Sequence, residues 1–131
     1  MKVSTIEQTV FFNTTPAEVY DLIMNAEKHG EFSGSEVEMS QEINGTFKVF
    51  DGYCHGYNIE LIEGKKIVQA WHFAEEGWPD DHYSICTFEF IADGTTTKLH
   101  FTQTDIPEHK AEALKAGWNE FYWDPMKSYL N

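Results

Sequence analysis

From Pro107 to the C-terminus the chain carries its only long amphipathic helical segment, and that segment is heavy with rings. Ala111, Leu114, Trp118, Phe121, Tyr122, Pro125 and Tyr129 fall on one broad stripe at helical spacing. A single such helix has no helical partner to pack against. It must bury its stripe on a sheet, which limits the chain to folds that combine one long helix with strands. The strands are legible upstream. Ile6, Val10 and Phe12 share one parity, as do Ser84, Cys86, Phe88 and Phe90, and again Leu99, Phe101 and Gln103. Further runs at Glu36–Met39, Thr46–Phe50, Cys54–Ile62 and Lys66–Phe73 are bounded by Asn44-Gly45, Asp51-Gly52 and Glu63-Gly64-Lys65. Short turns make neighbouring strands antiparallel.

One further helical stretch follows the first strand. Thr14 or Thr15 can serve as N-cap, Pro16 suits the first turn, and Glu18 stands three residues after Thr15. Val19, Leu22 and Ile23 then recur at helical spacing, and breaks at Asn25 and Gly30 leave room for a second short helix. The expected architecture is α+β: about six or seven antiparallel strands in a curved sheet around a long C-terminal helix, with two short helices after the first strand. Residues 1–131 suffice for one domain of ordinary size. Asp124-Pro125 inside the last helix predicts a kink or an early end.

Charge excludes several function classes. There are 22 acidic residues against 9 basic ones, a formal net charge of −13, and every basic residue is lysine. Nucleic acids and anionic membranes select clustered positive charge, and phosphate recognition favours the arginine fork, so neither partner fits. The acidity serves solubility, or it presents an acidic face to a basic protein partner. The N-terminus has no long apolar stretch, and no run approaches a membrane span. The two cysteines, Cys54 and Cys86, read as reduced thiols in a cytoplasmic protein.

Motifs for chemistry are absent. His55, His72, His82, Cys54 and Cys86 have no metal-ligand spacing, and adjacent strand residues such as Cys54 and His55 point to opposite faces. Cys86 with His72 or His100 lacks an orienting third residue. No glycine-rich phosphate loop or serine nucleophile motif occurs. We therefore expect no catalytic residue, no metal and no cofactor.

Four stretches, in this order and spacing, resemble the C-terminal domain of the activators of the heat-shock-protein-90 ATPase, within the START-like, birch-pollen-allergen-like helix-grip superfamily. They are Thr14-Thr15-Pro16-Ala17-Glu18-Val19-Tyr20; Asn44-Gly45-Thr46-Phe47, where Asn44 stands for the first glycine of a Gly-Gly-x-Phe pattern; Ile67 to Phe73 followed by Trp78-Pro79; and Gly117-Trp118 with Phe121-Tyr122-Trp123. The resemblance runs from about Thr5 to Tyr129. It implies a helix-grip fold and a non-enzymatic binding domain with a chaperone of the heat-shock-protein-90 type as partner and a role in stress response. In eukaryotic members a separate N-terminal domain makes the principal ATPase-stimulating contacts.

The superfamily also implies a second partner, a small apolar ligand between sheet and helix. The candidate lining is Phe47, Tyr57, Trp71, Phe73, Trp78, Cys86, Phe88, Phe101, Trp118, Phe121 and Tyr122, with His72, Tyr57, Asn58 and Gln103 as candidate polar groups. The same rings are equally suited to filling a core. Trp78 is expected at the tip of a lid-like loop whose carboxylates, Glu75, Glu76, Asp80 and Asp81, face water. Gly117 is expected to bring the helix close to the sheet.

Overall fold

The computed structural model describes residues 1–131. Strand β1 (Val3–Phe12) leads into helices α1 (Pro16–Met24) and α2 (Ala26–Ser33). Strands β2 (Glu38–Met39), β3 (Thr46–Val49), β4 (Cys54–Ile62), β5 (Lys66–Phe73), β6 (Ser84–Asp93) and β7 (Thr96–Pro107) follow. They form one seven-stranded sheet in the order β1-β7-β6-β5-β4-β3-β2. Every neighbouring pair is antiparallel. This is the helix-grip fold, and β1 and β2 lie at opposite edges, so α1 and α2 carry the chain from one edge to the other.

Period-two alternation explains the sheet. The expected inward residues of β1, β6 and β7 are all buried. Thr15 caps α1, accepting from the Glu18 N–H at 3.3 Å. The Glu18 carboxylate accepts from the Thr14 hydroxyl at 2.7 Å rather than closing a full capping box. Asn44 takes a left-handed backbone, φ 69°, which asparagine tolerates and which suits it to a glycine position.

The C-terminal helix departs from expectation in an informative way. It runs through a 3₁₀ turn (Glu108–Lys110), α3 (Ala111–Trp118), a π-helical turn (Asn119–Trp123) and α4 (Asp124–Leu130). Pro125 therefore neither ends the helix nor breaks it. Instead the Asp124 N–H donates to the Asn119 carbonyl five residues back, and the widened turn precedes the proline. The extra residue rotates the stripe. Tyr122, Trp123 and Met126 are buried, while Phe121 and Tyr129 are 51% and 40% exposed.

Each tryptophan indole N–H has an acceptor. Trp71 donates to Gln69, Trp118 to Gln103, Trp123 to Gln8 and Trp78 to the His82 carbonyl, at 2.8–3.0 Å. Buried rings of this size need such partners, and the inward amides supply them.

His29 pins α2 to the C-terminal helix. Its Nδ1 lies 2.9 Å from the Ile23 carbonyl and its Nε2 2.8 Å from the Tyr122 hydroxyl. A carbonyl only accepts, so Nδ1 carries the proton and Nε2 accepts from Tyr122. Burial pushes the His29 pKa down to about 4, only partly opposed by the Ile23 bond. The unfolded chain therefore binds the extra proton first as pH falls. This stability term is complete above pH 6.5 and is lost as pH drops toward 4. Between pH 6.5 and 5 the loss is expected to be about 2 kcal/mol. His100, raised by hydrogen bonds to Glu7 and Glu89, acts in the opposite direction. Urea unfolding of the native chain against His29→Gln over that range isolates the His29 term. The difference between the two should shrink as pH falls, and a constant difference would contradict this account.

Candidate functional site

A cavity of about 490 Å³ lies between the sheet and the C-terminal helix and is partly open to solvent. Three segments build it. The alternation of β5 turns Trp71 and Phe73 inward. The helix contributes Ala113, Leu114, Gly117, Trp118, Phe121 and Tyr122, and the 3₁₀ turn after β3 (Phe50–Gly52) with the residues that follow contributes Phe50, Tyr53 and Cys54. Glu75 and Lys110 complete it and are its only charged residues.

The rings meet edge to face or tilted. Trp71 and Trp118 centroids are 5.2 Å apart, Trp118 and Tyr122 4.6 Å, and Phe50 and Tyr122 5.6 Å. Phe50 and Asp51 both sit in left-handed backbone, φ 51° and 58°. For a bulky residue such as phenylalanine this is strained, at a cost of about 1–3 kcal/mol. Reciprocal bonds to Glu36 hold the turn: the Asp51 N–H donates to the Glu36 carbonyl at 3.2 Å, and the Glu36 N–H donates to Asp51 Oδ1 at 2.8 Å. The strain places the Phe50 ring over the cavity beside Phe121, 6.0 Å away.

The Lys110 ammonium meets Glu75 at 2.8 Å, both side chains mostly buried, and also donates to the Glu76 carbonyl. The pair ties the β5–β6 loop to the start of the helix at the cavity. Burial, then the neighbouring Glu75 carboxylate, pushes the Tyr53 hydroxyl up to about 12. Burial raises both cysteine thiols far above the ordinary range, so neither supplies a thiolate at neutral pH.

Of the eleven rings and side chains expected to line a cavity, the structure brings five together there: Trp71, Phe73, Trp118, Phe121 and Tyr122. Phe47, Cys86, Phe88 and Phe101 are buried behind them as packing, with Phe101 4.5 Å from Trp118 and Phe47 5.1 Å from Trp71. Tyr57 points away, on the outer face beside Tyr83 at 5.5 Å, because it stands at odd spacing from inward Cys54. Trp78 is not a loop tip. It is 5% exposed and packs on Phe73 at 4.7 Å.

The candidate polar groups are also redistributed. His72 is on the outer face against the His82 carbonyl, whereas Asn58 and Gln103 are buried and hydrogen-bonded to Gln69 and to Trp118 and Ser84. Cys86 and the histidines His72 and His100 occupy opposite faces, so they form no pair. No group of three or more His, Cys, Asp or Glu side chains is placed to hold a metal ion. No helix is long and apolar enough to cross a membrane.

Gly117 corrects another expectation. A β-carbon there would meet nothing nearer than a Phe121 ring carbon at 3.9 Å. The glycine does not mediate a close approach; it leaves room in the cavity. Gly117→Ala is therefore expected to raise stability by about 0.5–1 kcal/mol through helix propensity. A melt showing destabilisation would overturn that placement.

Phe50, Tyr53, Cys54, Glu75, Lys110, Ala113, Leu114 and Gly117 also line the cavity, beyond the residues expected from the sequence. Leu114 and Gly117 were recoverable, since both lie on or beside the helical stripe that carries Trp118.

The geometry agrees with known proteins. The family model described as activator of Hsp90 ATPase homolog 1-like protein matches residues 13–131. The activator of 90 kDa heat shock protein ATPase homolog 2 of Mus musculus is 29% identical over 93% of this chain and 36% of its own length. The Dictyostelium discoideum homolog is 32% identical over 88% of this chain and 30% of its own. The chain thus spans about a third of the length of these relatives. A crystal structure of an HSP90 activator from Plasmodium falciparum superposes with a TM-score of 0.88 at 27% identity, covering 96% of this chain and 95% of that one. The chain belongs to the family of activator of Hsp90 ATPase homolog 1-like proteins.

Proposed function

We propose that this chain is a non-enzymatic binding domain that docks on a chaperone of the heat-shock-protein-90 type, in the cytoplasm, as part of a stress response. The observation that carries this reading is the end-to-end match with the Plasmodium falciparum HSP90 activator, 95% of that chain at a TM-score of 0.88. The net charge of −13 supports it by giving the domain a field that draws it to a basic face on a partner. The domain acts by contact. Its inward thiols are protonated, and the one charged pair at the cavity, Glu75 with Lys110, is closed on itself at 2.8 Å. Calorimetric titration of the chain into a heat-shock-protein-90 chaperone at low salt tests the reading. Saturable binding is expected, and its absence where electrostatic attraction is strongest would sink it.

A second reading is favoured by the cavity itself. About 490 Å³, ten of its thirteen lining residues hydrophobic, is within the range that encloses a small molecule. On this reading the domain carries or senses a small apolar ligand between the sheet and the C-terminal helix.

A further inference from the structure

We propose that the cavity takes an amphipathic cation, an apolar body bearing a tertiary or quaternary ammonium head. This rests on the second reading above and adds the charge of the ligand's head.

Seven of the thirteen lining residues are aromatic. Trp71, Trp118 and Tyr122 form a continuous wall, with centroids 4.6–6.1 Å apart. Phe50 and half-exposed Phe121 meet edge to face at 6.0 Å. Ring faces carry negative potential, and enclosures of rings are what capture alkylated ammonium groups. An anionic head in the same place meets that potential with the wrong sign.

The two charged lining residues do not reverse this preference. The Lys110 ammonium is already bonded to Glu75 at 2.8 Å and to the Glu76 carbonyl, so its charge is neutralised and most of its donors are spent. It has little to offer a carboxylate. The Glu75 carboxylate, whose side chain is 25% exposed, keeps lone pairs that a second cation can share. Beyond the cavity the whole chain carries −13, which concentrates cations near the mouth and repels anions. Rings, local charge and long-range field point the same way.

The test uses three ligands with one body and different heads: decyltrimethylammonium, decanol and decanoate, each below its micelle concentration. Trp71 and Trp118 in the wall report occupancy by fluorescence. Titrations run at about physiological ionic strength, to screen the outer surface. The cation is expected to bind at least about tenfold more tightly than the carboxylate, given the strength of desolvated cation–ring contacts. Glu75→Gln should narrow that gap.

Gly117→Leu, which fills the cavity, and Ala113→Phe, at an exposed rim position, should each weaken binding of all three. The two variants guard against one failing to fold. Equal or tighter binding of decanol or decanoate would overturn the head preference and leave the cavity reading standing. Cation binding indifferent to both blocking variants would place it on the acidic surface and overturn the proposal. No saturable signal with any ligand would overturn the cavity reading itself.

Discussion

Trp118→Ala is expected to lower the unfolding free energy by about 3–5 kcal/mol, the range for removing a buried large aromatic side chain. Trp118 is 3% exposed and meets Phe101 at 4.5 Å, Tyr122 at 4.6 Å, Trp71 at 5.2 Å and Trp123 at 5.4 Å. Truncation would merge the vacated space with the cavity, so the surroundings have little chance of closing on it. It also deletes the donor to Gln103, whose side chain is wholly buried. Trp118→Phe separates the two effects. It keeps a ring and removes the N–H, leaving the Gln103 oxygen unpaired at a cost of about 1–3 kcal/mol. Urea unfolding of both variants measures the difference. A loss below about 1 kcal/mol for the alanine variant would mean a ring on the surface, not in the wall.

Gly56→Ala is the second large effect, expected at about 3 kcal/mol or more, at the upper end for overpacking. A β-carbon at Gly56 would overlap the carbonyl of Ala70 on the neighbouring strand and press on the Phe47 ring. Backbone cannot move aside as a flexible side chain can, so relief requires β4 and β5 to separate. Gly56 pairs with Trp71, so that displacement also shifts a cavity wall. Thermal unfolding and fluorescence of the variant report both consequences. A native melting temperature would contradict the close approach. Gly117→Ala is the matched control, because its β-carbon points into space.

These two glycines show what the sequence makes legible and what it does not. The sheet and the grip of the C-terminal helix follow from period-two and helical spacing, which depend only on neighbours along the chain. Strand parity also contains the answer for Tyr57, which stands three residues after inward Cys54 and therefore faces out. Other features depend on residues far apart. The left-handed pair Phe50-Asp51 is held by Glu36, fifteen residues before Asp51. The Glu75–Lys110 bridge joins residues 35 apart. Helical periodicity placed Phe121 with the buried rings, but the π-turn ahead of Pro125 advances the stripe by one position and buries Trp123 and Met126 instead. Local spacing cannot register such a turn. His29, the buried link between α2 and Tyr122, carried no motif and would be found only by its partners.

We propose above that this strongly acidic helix-grip domain is drawn to and held by a chaperone of the heat-shock-protein-90 type. The most direct test is the association rate between the chain and a heat-shock-protein-90 chaperone, measured by stopped flow over an ionic-strength series. Rapid association at low salt that slows steeply as salt is added is expected. Association that is absent at low salt, or that proceeds at one rate across the series, would contradict it.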